Sequence, residues 1–143
     1  MTGEIHGASF EDLVAFFRRP VPGGFPVDVV RECVCRSCDG RRFEVRVMDT
    51  AQAARRTCLE CRRHELIADS VEYWDDDEEV QVRCACLCGE EEFAGAVGFS
   101  LREESDDVRW IVVGLRCLSC GRLGVYEAWK IDWGPSNYLL DLA

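Results

Sequence analysis

Residues 9–19, Ser-Phe-Glu-Asp-Leu-Val-Ala-Phe-Phe-Arg-Arg, place Phe10, Leu13, Val14 and Phe17 at i, i+3, i+4 and i+7. That recurrence gathers apolar side chains into one stripe of an α-helix. Ser9 supplies an N-cap hydroxyl, Asp12 stands at the third helical position, and Pro20 ends the run. A helix this short is marginal by itself, so its stripe is expected to dock elsewhere on the same chain. Residues 20–26, Pro-Val-Pro-Gly-Gly-Phe-Pro, follow as a stiff, turn-rich connector.

Beyond the connector the period changes from 3.6 to 2. Phe43, Val45 and Val47 face one way and Glu44 and Arg46 the other, while Phe93, Val97, Phe99 and Leu101 recur at even spacing. Strong β-formers continue from Trp110 to Leu115, and alternation places Val125, Trp129, Ile131 and Trp133 on one face of a later strand. Residues 69–79 read as an acidic junction, and 102–107 as a solvated hairpin loop.

Landmarks recur in one order. Phe43 follows Cys38 by five residues and Phe93 follows Cys88 by five. Cys58-Leu59-Glu60-Cys61 is matched by Cys117-Leu118-Ser119-Cys120, with Arg56 or Arg116 just before, and Trp74 and Trp133 each lie thirteen residues beyond. The chain therefore reads as two copies of one module, at 29–74 and 80–133. The predicted fold is β-rich α+β: a helix and connector at 1–28, a first antiparallel module with its acidic junction at 29–79, and a second module with a C-terminal tail at 80–143.

Ten cysteines lie among 143 residues. The N-terminus carries no apolar secretory segment, so a reducing cytoplasm is the expected location, and thiols paired at short spacing there point to metal sites before disulfides. Cys35 and Cys38 with Cys58 and Cys61 have the spacing of a four-thiolate site, each pair on a tight turn. In the second copy Cys117 and Cys120 form an equally regular pair. Its first half is irregular: Cys88 is joined by Cys84 or by Cys86. The usual two to four residues between ligands favour Cys84, while Cys86 would put both sulfurs on one strand face. Cys33 and whichever of Cys84 and Cys86 is left over are expected to pack as small hydrophobes.

Paired turns of this kind resemble the zinc-ribbon class of zinc-binding modules, here in tandem over residues 33–133. The resemblance implies one zinc ion between the two turns of each module, two per chain, in a structural or recognition role. Rubredoxin is a second likeness, Cys88 and Cys117 being 29 residues apart, and makes iron the alternative metal. Modules of this size also need a staple beyond their small core, and four cysteines leave no open coordination position for hydrolysis.

Other chemistry is sparse. His64 follows Cys61 by three residues and reads as a surface side chain, and the run Asp75–Glu79 lacks the spacing of a calcium loop. No phosphate loop, nucleophile elbow or His-Glu-x-x-His motif is present, and no apolar run approaches the ~20 residues of a membrane span. A non-enzymatic role is expected. The net charge of −10 is unevenly spread: residues 31–64 carry nine arginines against five acids, residues 65–107 two arginines against fifteen acids. A scaffold binding a protein with a basic surface is the leading expectation. Nucleic-acid binding through Arg31, Arg36, Arg41, Arg42, Arg46, Arg55, Arg56, Arg62 and Arg63 beside Phe43 is the alternative, disfavoured by the overall charge.

Overall fold

The computed structural model describes residues 5–19, 25–49 and 52–143. Its elements are β1 (Ile5–His6), α1 (Phe10–Phe17), β2 (Val29–Glu32), β3 (Phe43–Met48), β4 (Ala54–Cys58), β5 (His64–Leu66), β6 (Gln81–Arg83), β7 (Phe93–Leu101), β8 (Val108–Cys117) and β9 (Arg122–Lys130). Short 3-10 turns occupy Ser70–Glu72, Glu78–Val80 and Asn137–Asp141. Most of the predicted connector, residues 20–24, falls outside the described residues.

The strands form one open antiparallel sheet with the path β1-β9-β8-β7-β3-β4-β5, β2 lying beside β7 and β6 beside β3. This pairing joins the two halves of the chain. β2, from the first half, runs along β7 with Val29 opposite Phe99 and Glu32 opposite Ala96. β6, from the second, runs along β3 with Arg46 opposite Arg83 and Met48 opposite Gln81. Each half thus lends its leading strand to the central strand of the other, and the predicted boundary at 79/80 is crossed by backbone hydrogen bonds.

One core spans both halves. Phe43 and Val45 of β3 are buried in the same cluster as Phe93, Val97 and Phe99 of β7 and Ile111, Val113 and Leu115 of β8, as the alternation requires. The chain after β5 closes over this face: Ile67 is buried within it, and Asp69 Oδ1 accepts from the buried indole Nε1–H of Trp129 at 3.0 Å.

The opposite face of β7 and β8 receives α1, which buries Leu13 and Phe17 against Ala96 and Val112. Its cap is as predicted: the Asp12 amide donates to Ser9 Oγ, and Asp12 Oδ2 accepts from the Ala8 amide at 2.7 Å. Docking depends on missing side chains. A Cβ on Gly114 would lie 2.5 Å from Phe17 Cζ, and one on Gly98 would lie 3.1 Å from Phe17 Cδ1, so the two glycines form the slot that takes the ring.

One alternation is corrected. Trp129 and Ile131 enter the core, but Val125 is half exposed on the other face. The β8–β9 register shifts between Val113, opposite Glu127, and Gly114, opposite Val125, which leaves Tyr126 as an extra residue. A β-bulge of this kind reverses the parity of the strand beyond it. Tyr126 accordingly packs edge-on to Phe93, with ring centroids 5.3 Å apart.

Candidate metal centre

Two groups of four sulfurs converge, each group lying within 4.8 Å: Cys35, Cys38, Cys58 and Cys61, and Cys86, Cys88, Cys117 and Cys120. Across the groups Cys35 Sγ lies 3.5 Å from Cys61 Sγ, Cys38 3.5 Å from Cys58, Cys86 3.6 Å from Cys120 and Cys88 3.6 Å from Cys117. A disulfide needs about 2.05 Å. Tetrahedral ligands about 2.3 Å from a zinc ion stand about 3.8 Å apart, so these separations are close to those of a metal-bound set. Either group could hold one ion, the choice between zinc and iron being left open by four sulfurs alone.

Local turns explain the convergence. Cys35 N–H donates to Gly40 O and Asp39 N–H to Cys35 O, both at 2.9 Å; Cys58 N–H reaches Arg63 O at 2.9 Å and Arg62 N–H reaches Cys58 O at 2.8 Å. The residue after the second cysteine of each turn is left-handed: Asp39 (φ 62°), Arg62 (φ 67°), Gly89 (φ 96°) and Gly121 (φ 80°). That conformation turns the chain back so that the amides of Gly40, Arg63, Glu90 and Arg122 meet the second sulfur of each turn, while amides within the turns meet the first. Ser37 N–H points at Cys35 Sγ at 3.4 Å and Cys120 N–H at Cys117 Sγ at 3.5 Å.

The chemistry of the donor set also fits a cation. The Cys38 amide, followed by that of Ser37, lowers Cys35 to about 7. Burial pushes Cys117 up, but the amides of Cys120 and Ser119 outweigh it and bring it to about 7. For Cys38 and Cys88 the amides of Gly40 and Glu90 favour the thiolate, yet the crowded neighbouring thiols and burial raise both to about 12. Four sulfurs this close resist ionising together, and a divalent cation is what would hold all four as thiolates.

The preference for Cys84 is corrected, since Cys86 supplies the fourth sulfur of the second group. Cys84 continues the β6–β3 ladder, its amide donating to Val45 O at 2.8 Å, and its side chain is buried. Cys33 behaves alike, its amide donating to Gly95 O at 2.9 Å. Burial raises the thiols of Cys33 to about 11 and of Cys84 to about 12. The turn from Cys86 is one residue shorter than that from Cys35: Cys86 N–H meets Glu90 O, and Gly89 N–H closes back on Cys86 O, both at 2.8 Å. Gly89 makes the short turn possible, with φ 96°. A signal for it was present, because Cys33-Val34-Cys35 and Cys84-Ala85-Cys86 are the same step.

His64 belongs to neither group; its Nδ1 lies 2.6 Å from Thr57 Oγ1. Arg56 and Arg116, each just before a Cys-Leu-x-Cys step, differ in place. Arg56 lies opposite Glu65, whereas the residue at its register position in the second half is Leu115, opposite Gly124. Trp74 lies beneath the Arg55 guanidinium at 5.1 Å, while Trp133 lies against Tyr138.

Six of the nine arginines of residues 31–64 meet carboxylates of the same chain. Arg41 lies 3.3 Å from Glu32, Arg42 3.0 Å from Glu92, Arg46 2.8 Å from Glu44 and Arg56 3.2 Å from Glu65, which Arg36 and Arg63 also approach. Among the described residues no helix is long and apolar enough to cross a membrane. Compared with known proteins, the chain matches no family model, and neither a curated protein nor a solved structure is similar to it at a significant level.

Proposed function

We propose that this chain is a non-enzymatic zinc protein, two tandem ribbon-like modules that bind one ion each and present a scaffold for a protein partner. The observation that carries the metal reading is the convergence of two separate sets of four sulfurs, each on paired tight turns. In each set two cysteines are buried and two exposed, so an ion would sit at the surface of the core and brace the sheet around it. Four sulfurs per ion leave no position for a reacting water, which supports a structural role over a catalytic one. The repeat is supported by register: Phe43 lies opposite Cys58, and Phe93 opposite Cys117. No disulfide joins the ten cysteines, and thiols paired at short spacing support a reducing compartment such as the cytoplasm.

Elemental analysis of purified protein tests the metal: two zinc ions per chain are expected in a colourless protein, and a red, iron-containing protein would replace zinc by iron. The partner is expected to be basic, because the chain carries −10 overall and its arginines are largely engaged by its own carboxylates. By the same reasoning the intact chain is expected not to bind duplex DNA or RNA near 0.15 M salt, where the screening length is ~8 Å and close internal pairs persist. A salt-sensitive micromolar complex weakened by Arg41→Glu with Arg42→Glu would favour the nucleic-acid reading instead.

A further inference from the structure

Glu65 is 8% exposed and Arg56 2%, and they face each other across β4 and β5. Two buried charges in this position are costly unless they hold something in place. They hold the backbone on either side of Cys35, and Arg56 also donates from Nε and Nη2 to Ala143 O at 3.2 and 2.8 Å. Arg56 Nη2 donates to Val34 O at 3.2 Å, and Glu65 Oε1 accepts the Arg36 amide at 3.1 Å while also accepting from Arg56 Nη1 at 3.2 Å. The peptide groups before and after the first sulfur of the first group are therefore clamped by one ion pair. Arg56 also lies over the Phe43 ring, 4.9 Å from its centroid, so the clamp is packed from below.

The second group lacks this device. The same register positions are Leu115 and Gly124, neither of which can hydrogen-bond through a side chain, and the ring beside Phe93 is that of Tyr126. Solvent access does not separate the groups, because in both the first cysteine of each turn is buried and the second exposed.

We propose that Glu65, acting with Arg56, is a positioning residue for the first metal centre, so that this centre holds its ion more tightly than the second. The proposal rests on the metal-binding reading above. Partners that orient ligands in this way are typically worth about 10–100-fold in metal affinity.

The test uses the full chain loaded with zinc ions, challenged with a chelator and trapped with iodoacetamide, the modified cysteines being located by peptide mass mapping. In the unaltered protein Cys86, Cys88, Cys117 and Cys120 are expected to be modified before Cys35, Cys38, Cys58 and Cys61. Glu65→Ala should reverse that order, while Glu65→Gln, which keeps an acceptor oxygen for the Arg36 amide, should largely preserve it. Because Glu65→Ala strands a buried cation, the pair Arg56→Met with Glu65→Leu serves as a second variant; it removes the clamp without leaving a charge, and should also reverse the order while the near-ultraviolet dichroism of the loaded protein is kept. The proposal is overturned if the unaltered groups are modified together, if the first group goes first, or if the double variant leaves the order as it was. It is equally overturned if both groups become reactive at once with loss of the dichroism, since the pair would then serve general packing. A chain that takes up no zinc, with thiols equally reactive before and after loading, would instead sink the metal reading itself.

Discussion

Phe43 and Phe93 form the backbone pair that joins β3 to β7, and on their other sides they oppose Cys58 and Cys117. The two sulfur groups are therefore linked through one row, Cys58–Phe43–Phe93–Cys117. From this row β3 and β7 run in opposite directions, each accompanied by a strand from the other half of the chain. The halves cannot be pulled apart without breaking those ladders.

Loss of one centre should consequently be felt in both halves. Cys58→Ser is expected to lower hydrogen-exchange protection in β6 as well as in β3 and β4, by about tenfold or more, equal to ~1.4 kcal/mol. Unchanged protection at Val82 and Arg83 would mean that the halves behave as independent units.

The choice between Cys84 and Cys86 has a direct readout. Cys86→Ser is expected to reduce bound metal from two equivalents to one, whereas Cys84→Ser and Cys33→Ser should leave both in place, since these two thiols lie on strand ladders outside the sulfur groups. Loss of an equivalent from Cys84→Ser alone would reverse the assignment.

The slot for Phe17 is intolerant of bulk. Gly114→Val would drive a side chain into the ring, whose Cζ lies 2.5 Å from an added Cβ, and is expected to cost about 1–3 kcal/mol, as overpacking typically does. Chemical denaturation measures the cost. The variant should also free α1, so that proteolysis near Phe17 becomes faster; a full-stability variant with a protected helix would show that α1 is not seated there.

Trp129 tests the closure of the core by the chain after β5. Asp69→Leu removes the acceptor of a buried indole N–H, which should cost about 1–3 kcal/mol and shift the tryptophan emission. If neither stability nor emission moves, the contact between residues 67–70 and the β8–β9 face is not made in solution.

Much of this architecture was legible because its causes are local. Helix α1 follows from apolar spacing and the Ser9 cap, β3 and β7 follow from alternation, and β8 from a run of β-formers, each of which a few neighbouring residues determine. The same holds for the turns that bring Cys35 to Cys38, Cys58 to Cys61 and Cys117 to Cys120, where two intervening residues close a loop whatever surrounds it. Other features depended on contacts between distant residues. Cys86 replaces Cys84 because the β6–β3 ladder carries Cys84 past the site and Gly89 permits a shorter turn. Val125 changes face because a bulge at Tyr126 reverses the parity, which no alternation rule can foresee. The exchange of β2 and β6 between the halves, and the Arg56–Glu65 pair that clamps the chain around Cys35, exist only once strands far apart in sequence lie side by side. Spacing along the chain determines which residues can share a turn or a face, and the packing of the sheet decides which of those turns and faces meet.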